Sequence, residues 1–487
     1  MNAPLRRVAI ACLVLFGLLL VNINYRQVVK ASDYRDNQRN ARVIVRNYEK
    51  ERGSIALAGA NRPLIARSVE TPGRLKYLRT YPDKDLYAHV TGFYSLVYGQ
   101  DGLEDTEDRV LSGDDPRLFV KRLSDTLTGR VPRGGDVVVT LQQAAQQAAY
   151  DGLKGKRGAV VALDPRTGAI LALASAPTYD PGLLSSFDPV AIRAYRTALL
   201  APAAGDPLLD RALSQTYPPG SIFKVVTAAA ALQDGVTPDT QIPSPTVLTL
   251  PQTSATLSNF GGESCGSGPT TSLTDALRIS CNTAFAQLGL TIGEGRLRAQ
   301  AEAFGFGDGS LTVPDPVAAS TFPGALDPPS LAQSAIGQRD VRVTPLQMAM
   351  VASGVADGGT VMAPYLVREV QAPDLTRLSL AQPKAYRQAV PRSVADQLRT
   401  MMEAVVANGT GTAAQIPGVR VAGKTGTAQN APGAAPHAWF IGFAPADDPQ
   451  VAVAVIVENG GDAGSEATGG KVAAPIARAV MRAVLGR

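Results

Sequence analysis

Ser221 and Lys224 stand three residues apart in Tyr217-Pro-Pro-Gly-Ser-Ile-Phe-Lys224, just ahead of a mostly apolar run from Val225 to Leu232. A serine hydroxyl is a poor nucleophile at neutral pH and needs a neighbouring base. On a helix, residues three apart lie side by side, so the Lys224 amine can reach the Ser221 oxygen. Pro218, Pro219 and Gly220 break the preceding chain, which lets a helix begin at or near Ser221. The serine then lies at the positive end of the helix dipole, and its backbone N–H is available to an oxyanion. A lysine that acts as a base must be neutral, so burial and a nearby positive charge must lower its pKa.

Two further clusters follow in order: Ser280-Cys-Asn282, within Leu277-Arg-Ile-Ser-Cys-Asn-Thr-Ala-Phe, and Lys424-Thr-Gly-Thr427, within Val421-Ala-Gly-Lys-Thr-Gly-Thr-Ala. Each alone is commonplace. Ser-x-x-Lys describes an N-capping serine with a solvated lysine, Ser-x-Asn a helix-end cap, and Lys-Thr-Gly a strand end. The ordered, widely spaced triple is far more specific, and it is the signature of penicillin-binding proteins and related β-lactamases. Only two histidines are present, His89 and His437, so a Ser-His-Asp mechanism is hard to build, and no metal-ligand cluster is visible.

On these motifs the chain resembles a class B penicillin-binding protein, and within that class the actinobacterial A-type group. The resemblance extends over most of the chain. Glu51-Arg-Gly-Ser-Ile55 is similar to the R-G-x-I near the start of class B ectodomains, and Gly135-Asp-Val-Val-Val-Thr140 to the opening of the transpeptidase domain. Ile336-Gly-Gln and Val343-Thr-Pro-Leu-Gln-Met348 fall where the family carries similar segments, between the second and third motifs.

The resemblance implies roles. Ser221 is the acylated nucleophile and Lys224 its base. Ser280 relays a proton to the leaving amine, and Asn282 holds Lys224 and the substrate amide. Lys424 supplies positive charge and, with Thr425, binds a substrate carboxylate. Gly426 lets substrate approach the strand edge without a side chain in the way. The N–H groups of Ser221 and Thr427 form the oxyanion hole. His437 and Trp439 are read as wall residues of the cleft.

The elements that must position these residues can be read coarsely. With 487 residues the chain is too long for one compact core, and two domains are the natural expectation. It is 45% apolar and 18% charged, so it is neither disordered nor strongly polar. The net charge of +5 suits a place beside an anionic membrane or wall. No dense basic stripe interleaved with aromatics argues for nucleic acid.

Arg6 and Arg7 precede the apolar run Val8–Val21, and counting from Leu5 to Tyr25 gives a length that can span a bilayer, about 20 residues. No small-x-small site follows, so an uncleaved signal-anchor is expected rather than a cleaved signal peptide, with the short tail inside and the bulk outside. Asp33 to about Arg130 is polar and rich in breaks. It reads as a small strand-rich pedestal, with Tyr77, Tyr81, Tyr87, Phe93, Tyr94 and Tyr98 as packing residues. The composition shifts at Val131-Pro-Arg-Gly-Gly135. The expected division is thus an anchor at 1–26, a pedestal or interaction domain at 27–133, and a transpeptidase domain at 134–487.

Within that last part, strands are expected at Asp136–Leu141, Gly158–Asp164, Ala169–Ser175, Val419–Thr425, Ala438–Phe443 and Val451–Glu458. Helices are expected at Gln142–Leu153, Ser221–Gln233, Thr274–Leu290, Pro345–Gly354 and Val472–Leu485. Strands at both ends with helices between suggest an α+β domain, an antiparallel sheet flanked by helices. Thr237–Gly268 looks like an insertion loop near the cleft, and Gln371–Lys384 like a surface segment.

Of the three cysteines, Cys12 lies in the apolar run. Cys265 and Cys281 lie beyond it, where an oxidising compartment permits a bridge. The alternative is two free thiols.

The function implied is a peptidoglycan D,D-transpeptidase that cross-links stem peptides through a serine acyl-enzyme and is blocked by β-lactams. A D,D-carboxypeptidase would share the acylation step. A β-lactamase fits poorly, since no dedicated deacylation base can be assigned. A non-catalytic division scaffold is the reading from a different class. No cofactor is implied. The pedestal is too short for a glycosyltransferase domain, so a membrane glycan polymerase and division or elongation proteins are the expected partners.

Overall fold

The computed structural model describes residues 2–30, 41–59, 61–119, 123, 125, 127–129, 133–429 and 433–487. Asp33 and Arg130, the expected limits of the polar segment, and Val131 and Pro132 at the composition shift lie outside the described residues. Eleven strands carry the architecture: β1 (Ile55–Leu57), β2 (Leu64–Glu70), β3 (Tyr77–Thr80), β4 (Asp136–Val139), β5 (Gly158–Leu163), β6 (Ile170–Ala176), β7 (Val367–Gln371), β8 (Arg377–Leu380), β9 (Ala422–Ala428), β10 (His437–Ala444) and β11 (Val451–Val457). The principal helices are α1 (Asn2–Asn24), α2 (Gln143–Leu153), α3 (Lys224–Gln233), α4 (Leu273–Arg278), α5 (Asn282–Ile292), α6 (Pro345–Ala356), α7 (Arg392–Asn408) and α8 (Gly469–Val484).

β5, β6, β9, β10 and β11 form a five-stranded sheet in the order β9-β10-β11-β5-β6, antiparallel throughout. Alternation along each strand sends side chains to opposite faces. Val160, Val453, Val455 and Phe440 pack with Ala149, Ala473, Ile476 and Val480 of α2 and α8. Val161, Ala454, Ile456 and Ile441 face the other core, with Leu346, Met350 and Val351 of α6. Because helices cover both faces, these strands read as continuous apolar runs rather than alternating ones. α3 is buried along nearly its whole length, which its small residues Ala228 to Ala231 permit.

A second sheet of six strands has the order β8-β7-β4-β1-β2-β3. It joins two segments far apart in sequence. β1 pairs in parallel with β4, Ile55 opposite Val137. The Ser54 N–H donates to Asp136 Oδ1 at 2.7 Å, and the Gly134 N–H to Glu51 O at 3.0 Å. The two family-like segments Glu51–Ile55 and Gly135–Thr140 therefore interlock, and the 133/134 join lies within this contact. Gln371–Lys384, expected as a surface segment, instead supplies β8 at the sheet edge.

Arg52 explains part of that motif. Its guanidinium donates to Glu104 at 2.6 Å, and Arg79 donates to the other Glu104 oxygen at 2.6 Å. All three side chains are buried. Tyr81 (whose hydroxyl donates to Glu104), Tyr87 and Phe93 are buried, as the aromatic reading expects, while Tyr98 stays 38% exposed.

Three expected elements differ. Thr237–Gly268 is not plain loop but holds short strands at Gln241–Pro243, Val247–Thr249 and Thr256–Ser258. The run Ser221–Gln233 opens with a 3-10 turn, Gly220–Phe223, before α3. The run Thr274–Leu290 is two helices, α4 and α5, because Ser280 adopts a left-handed φ of 66° and Cys281 N–H turns back to Ala276 O. At the start of the chain, residues 4–29 form a continuous helix that is long and apolar enough to cross a membrane, with none of it buried against the rest.

Glu104→Ala leaves Arg52 and Arg79 buried without their shared counter-charge. Urea unfolding should register a loss of about 3–5 kcal/mol. A loss under about 1 kcal/mol would mean that the cluster is solvated in solution.

Candidate active site

Ser221 sits in the Gly220–Phe223 3-10 turn. Residues i and i+3 eclipse in a 3-10 helix, so Ser221 and Lys224 share one side even more closely than on an α-helix. Two glycines set this turn on the sheet. Gly220 has φ of 55°, and a Cβ there would lie 2.8 Å from Thr427 O. A Cβ on Gly426 would lie 3.0 Å from Ile222 Cγ2 and 3.1 Å from both Pro219 O and Trp439 Cβ. A side chain at 426 would thus crowd the packing of the serine turn against β9, a reason for glycine that the sequence does not reveal. The turn is held further by the Gly220 N–H to Gly337 O at 2.8 Å and by Trp439 Nε1, which donates to Pro218 O at 3.1 Å. Trp439 is fully buried beneath the turn and is not a wall of the cleft. Its ring meets Tyr217 edge-on at 6.0 Å, and Tyr217 meets His437 the same way at 5.6 Å.

Lys224 is fully buried. Its Nζ donates to Ser280 O at 2.7 Å and to Asn282 Oδ1 at 2.7 Å, with Ser280 Oγ farther off at 3.4 Å. Burial pushes the amine well below its ordinary pKa, and the charge of Lys424 adds to the effect. A neutral amine has two N–H donors and one lone pair. The two short bonds use both donors and leave the lone pair to accept a proton. No hydrogen bond joins Lys224 to Ser221 in the structure, although the two residues share one side of the turn.

Lys424, on β9, is fully buried as well, and burial lowers its pKa to about 7. It donates to Ser280 Oγ at 2.8 Å and to Thr425 O at 2.8 Å. Ser280 therefore stands between the two lysines, and its own hydroxyl hydrogen is left to donate elsewhere. Thr425 Oγ1 lies 2.6 Å from Thr410 Oγ1. β9 is the edge of its sheet, so its outer row of backbone groups, at Thr427 among others, faces the serine turn rather than another strand.

Residues that sequence reasoning missed hold these in place. Asn259 Oδ1 accepts from the N–H groups of Asn282 at 2.9 Å and Thr283 at 3.1 Å, capping α5 from a distance. Asn282 Nδ2 donates to Ser258 O at 3.0 Å, which fixes the amide so that its oxygen faces Lys224. Cys265 and Cys281, the pair singled out in the sequence for a bridge and so not among the missed residues, are joined by a disulfide. Glu458, just after β11, accepts from Tyr217 Oη at 2.7 Å and Arg211 Nε at 2.8 Å. Only Asn259, close ahead of Cys265 in the expected insertion loop, carried a hint in the sequence. Among the described residues no cluster of potential metal ligands occurs.

A buried, carboxylate-free pair of lysines around one serine hydroxyl, next to a second serine in a 3-10 turn, is equipped for acyl transfer. Comparison with known proteins agrees. Residues 158–482 match the family model for the penicillin-binding protein transpeptidase domain, and residues 52–137 that for the penicillin-binding protein A dimerisation domain. The chain is 50% identical to the peptidoglycan D,D-transpeptidase PbpA of Mycolicibacterium smegmatis, covering 100% of this chain and 99% of that one. It is 46% identical to PbpA of Mycobacterium tuberculosis with the same coverage. Solved structures of penicillin-binding protein A from M. tuberculosis superpose well. The ceftriaxone acyl-enzyme complex gives a TM-score of 0.87 at 46% identity, and the imipenem acyl-enzyme complex 0.85, each over 91% of this chain and 100% of that chain. With half of its residues shared over the full length and the transpeptidase model matched across most of the chain, this chain belongs to the penicillin-binding protein transpeptidase family, in the group that includes the mycobacterial PbpA proteins.

Proposed function

We propose that the chain is a peptidoglycan D,D-transpeptidase, held at the cell membrane by its first helix with the catalytic part outside the cytoplasm. The observation that carries the chemistry is the bonding of Lys224. Its two short bonds run to the neutral acceptors Ser280 O and Asn282 Oδ1, and burial lowers its pKa, which favours the neutral amine. In this reading Ser221 Oγ–H gives its proton to Lys224 and attacks the carbonyl of the penultimate D-alanine of a stem peptide. The tetrahedral oxyanion rests on the N–H groups of Ser221 and Thr427. Collapse breaks the C–N bond, and the proton passes from Lys224 through Ser280 Oγ to the departing D-alanine amine. An acceptor amine then attacks the Ser221 ester, returns a proton along the same path, and frees the serine. A substrate carboxylate takes the remaining Lys424 donor and a Thr425 hydroxyl bond. Glycan polymerisation falls to a membrane partner, and division or elongation proteins direct the enzyme.

Incubating the protein with penicillin and measuring intact mass tests the reading. One adduct per chain is expected, absent from Ser221→Ala, and Lys224→Ala should slow its formation by about 10²–10⁴-fold. A folded wild-type protein that takes up no penicillin would leave the non-catalytic scaffold reading in its place.

The lysine pKa values give a second prediction. Lys224 works neutral and Lys424 works charged, so the acylation rate should rise with pH as Lys224 loses its proton and fall as Lys424 loses its own near pH 7. Removing the Lys424 charge lifts one cause of the Lys224 depression, so Lys424→Gln should move the acidic limb to higher pH. An acidic limb that stays in place in this variant would show that the two lysines are not coupled.

A further inference from the structure

The five-stranded sheet has two edges. β9, with Lys424 and Thr425, forms one. At the other, β6 walls a cavity of about 460 Å³, open to solvent on one side and bounded by α2, by Asp85, Leu86 and His89 of the first part of the chain and by the loop 202–205. The volume lies within the usual range for small-molecule sites, about 300–1,000 Å³, and a junction between two parts of a chain is a usual place for one. Leu86, Leu153, Leu173 and Pro177 give it an apolar lining, and Lys154, Lys156 and Arg157 line it with positive charge. The single acid in the lining, Asp85, already accepts from Tyr150 Oη at 2.8 Å. Among the described residues neither lysine forms an ion pair. Arg157 is 49% exposed and spends only Nε, on Glu458 Oε2 at 3.1 Å. The cavity is thus cationic with an apolar body.

It is also wired to the serine turn. Glu458 holds Arg157 with one oxygen, and Arg211 and the Tyr217 hydroxyl with the other. Arg211 donates in addition to Gly205 O at 2.7 Å and Asp206 O at 2.9 Å, in and beside the loop that lines the cavity. Two walls of the cavity therefore end on one carboxylate, and that carboxylate ends on Tyr217, four residues ahead of Ser221 and just before the serine turn.

We propose that this cavity is a second ligand site, for a small molecule bearing a carboxylate on a partly apolar body, whose occupancy is felt at Ser221 through Arg157, Glu458 and Tyr217. A ligand carboxylate meets the free fork of Arg157 in a charge-assisted pair and competes with Glu458 for it. Glu458 then bonds only to Arg211 and Tyr217, which tightens the turn that carries the serine. The binding half stands on the cavity alone. The coupling half rests on the reading of Ser221 as the acylated residue.

The test blocks the cleft first. The full-length protein, acylated with penicillin, is titrated by calorimetry with two probes. One is a stem tripeptide lacking the terminal D-alanyl-D-alanine, and the other is N-acetylphenylalanine. One molecule should bind per chain. Affinity should fall by about tenfold in Arg157→Ala and also in the double variant Lys154→Ala, Lys156→Ala, which leaves the Glu458 bonds intact. Binding of the tripeptide makes the ligand a wall fragment. Binding of N-acetylphenylalanine alone makes it an acid of other origin, and the site stands in either case. Binding of neither, or binding indifferent to both variants, overturns it. If penicillin fails to acylate, the proposed function falls, and the same titration on the unblocked protein still decides the site. In the unblocked protein, a saturating probe should speed acylation about fivefold, and Tyr217→Phe should remove the effect. An unchanged or slower rate overturns the coupling.

Discussion

Two fully buried lysines, Lys224 and Lys424, share one serine hydroxyl, and among the described residues no carboxylate forms an ion pair with either. Taking an ammonium out of water is expensive, and a protein ordinarily relieves the cost with a counter-charge. If Lys224 is the base proposed above, a counter-charge would defeat the purpose, because a carboxylate there would hold it protonated. The amines meet only neutral acceptors: Ser280 O, Asn282 Oδ1, Ser280 Oγ and Thr425 O. The rest of the site follows from this constraint. It must be dry, its acceptors must be fixed by other groups, and its acids must be kept at a distance. Glu458, which accepts from the Tyr217 hydroxyl beside the serine turn, is itself paired with Arg157 and Arg211.

Much of this was legible from residue types in order. The three motifs identified which side chains meet, and the apolar runs located the five strands of the sheet to within about three residues. The pKa argument for Lys224 also needed no structure, since a lysine base implies burial and a neighbouring charge. What stayed hidden depends on contacts between distant segments. Gly426 looks like clearance for a substrate until Pro219, Ile222 and Trp439 are seen packed on it. Trp439 follows the third motif closely and suggests a cleft wall, yet strand alternation turns it inward. The break at Ser280 is invisible because Leu277 to Phe285 is a good helical pattern with no glycine or proline. Only the left-handed φ of Ser280 divides it. The pairing of β1 with β4 could not be read either, although both motifs in it were noticed, because nothing local specifies a parallel partner.

That left-handed serine is the most informative departure from local rules. A non-glycine residue at positive φ costs about 1–3 kcal/mol and persists only where its surroundings over-determine it. Here they do so from both sides. Upstream, Cys281 N–H returns to Ala276 O. Downstream, Asn259 caps α5, and the Cys265–Cys281 bond ties the same loop to the motif. The gain is geometric. With Ser280 turned left-handed, its carbonyl and hydroxyl both face the lysines, so one residue serves Lys224 through the backbone and Lys424 through the side chain. A helical Ser280 would spend its carbonyl on the helix ladder and leave the buried Lys224 amine with Asn282 Oδ1 as its remaining short acceptor.

The serine turn is anchored independently, by Trp439, Gly337 and the Tyr217–Glu458 bond. Two separately fixed turns therefore face each other across Lys224, which begins α3 and bonds only to the far one. This division explains why the anchors are so numerous. The proposed proton transfer needs Ser221 and Lys224 within hydrogen-bond reach, and a misplacement of about 1 Å can cost about a hundredfold in rate. Lys224 is covalently close to Ser221 but is aimed by Ser280 and Asn282, so any drift of one turn against the other appears directly in that distance. The Asn259 cap and the Glu458 cluster lie outside the motifs, and the disulfide reaches into the second motif through Cys281; together they set the spacing between the two turns.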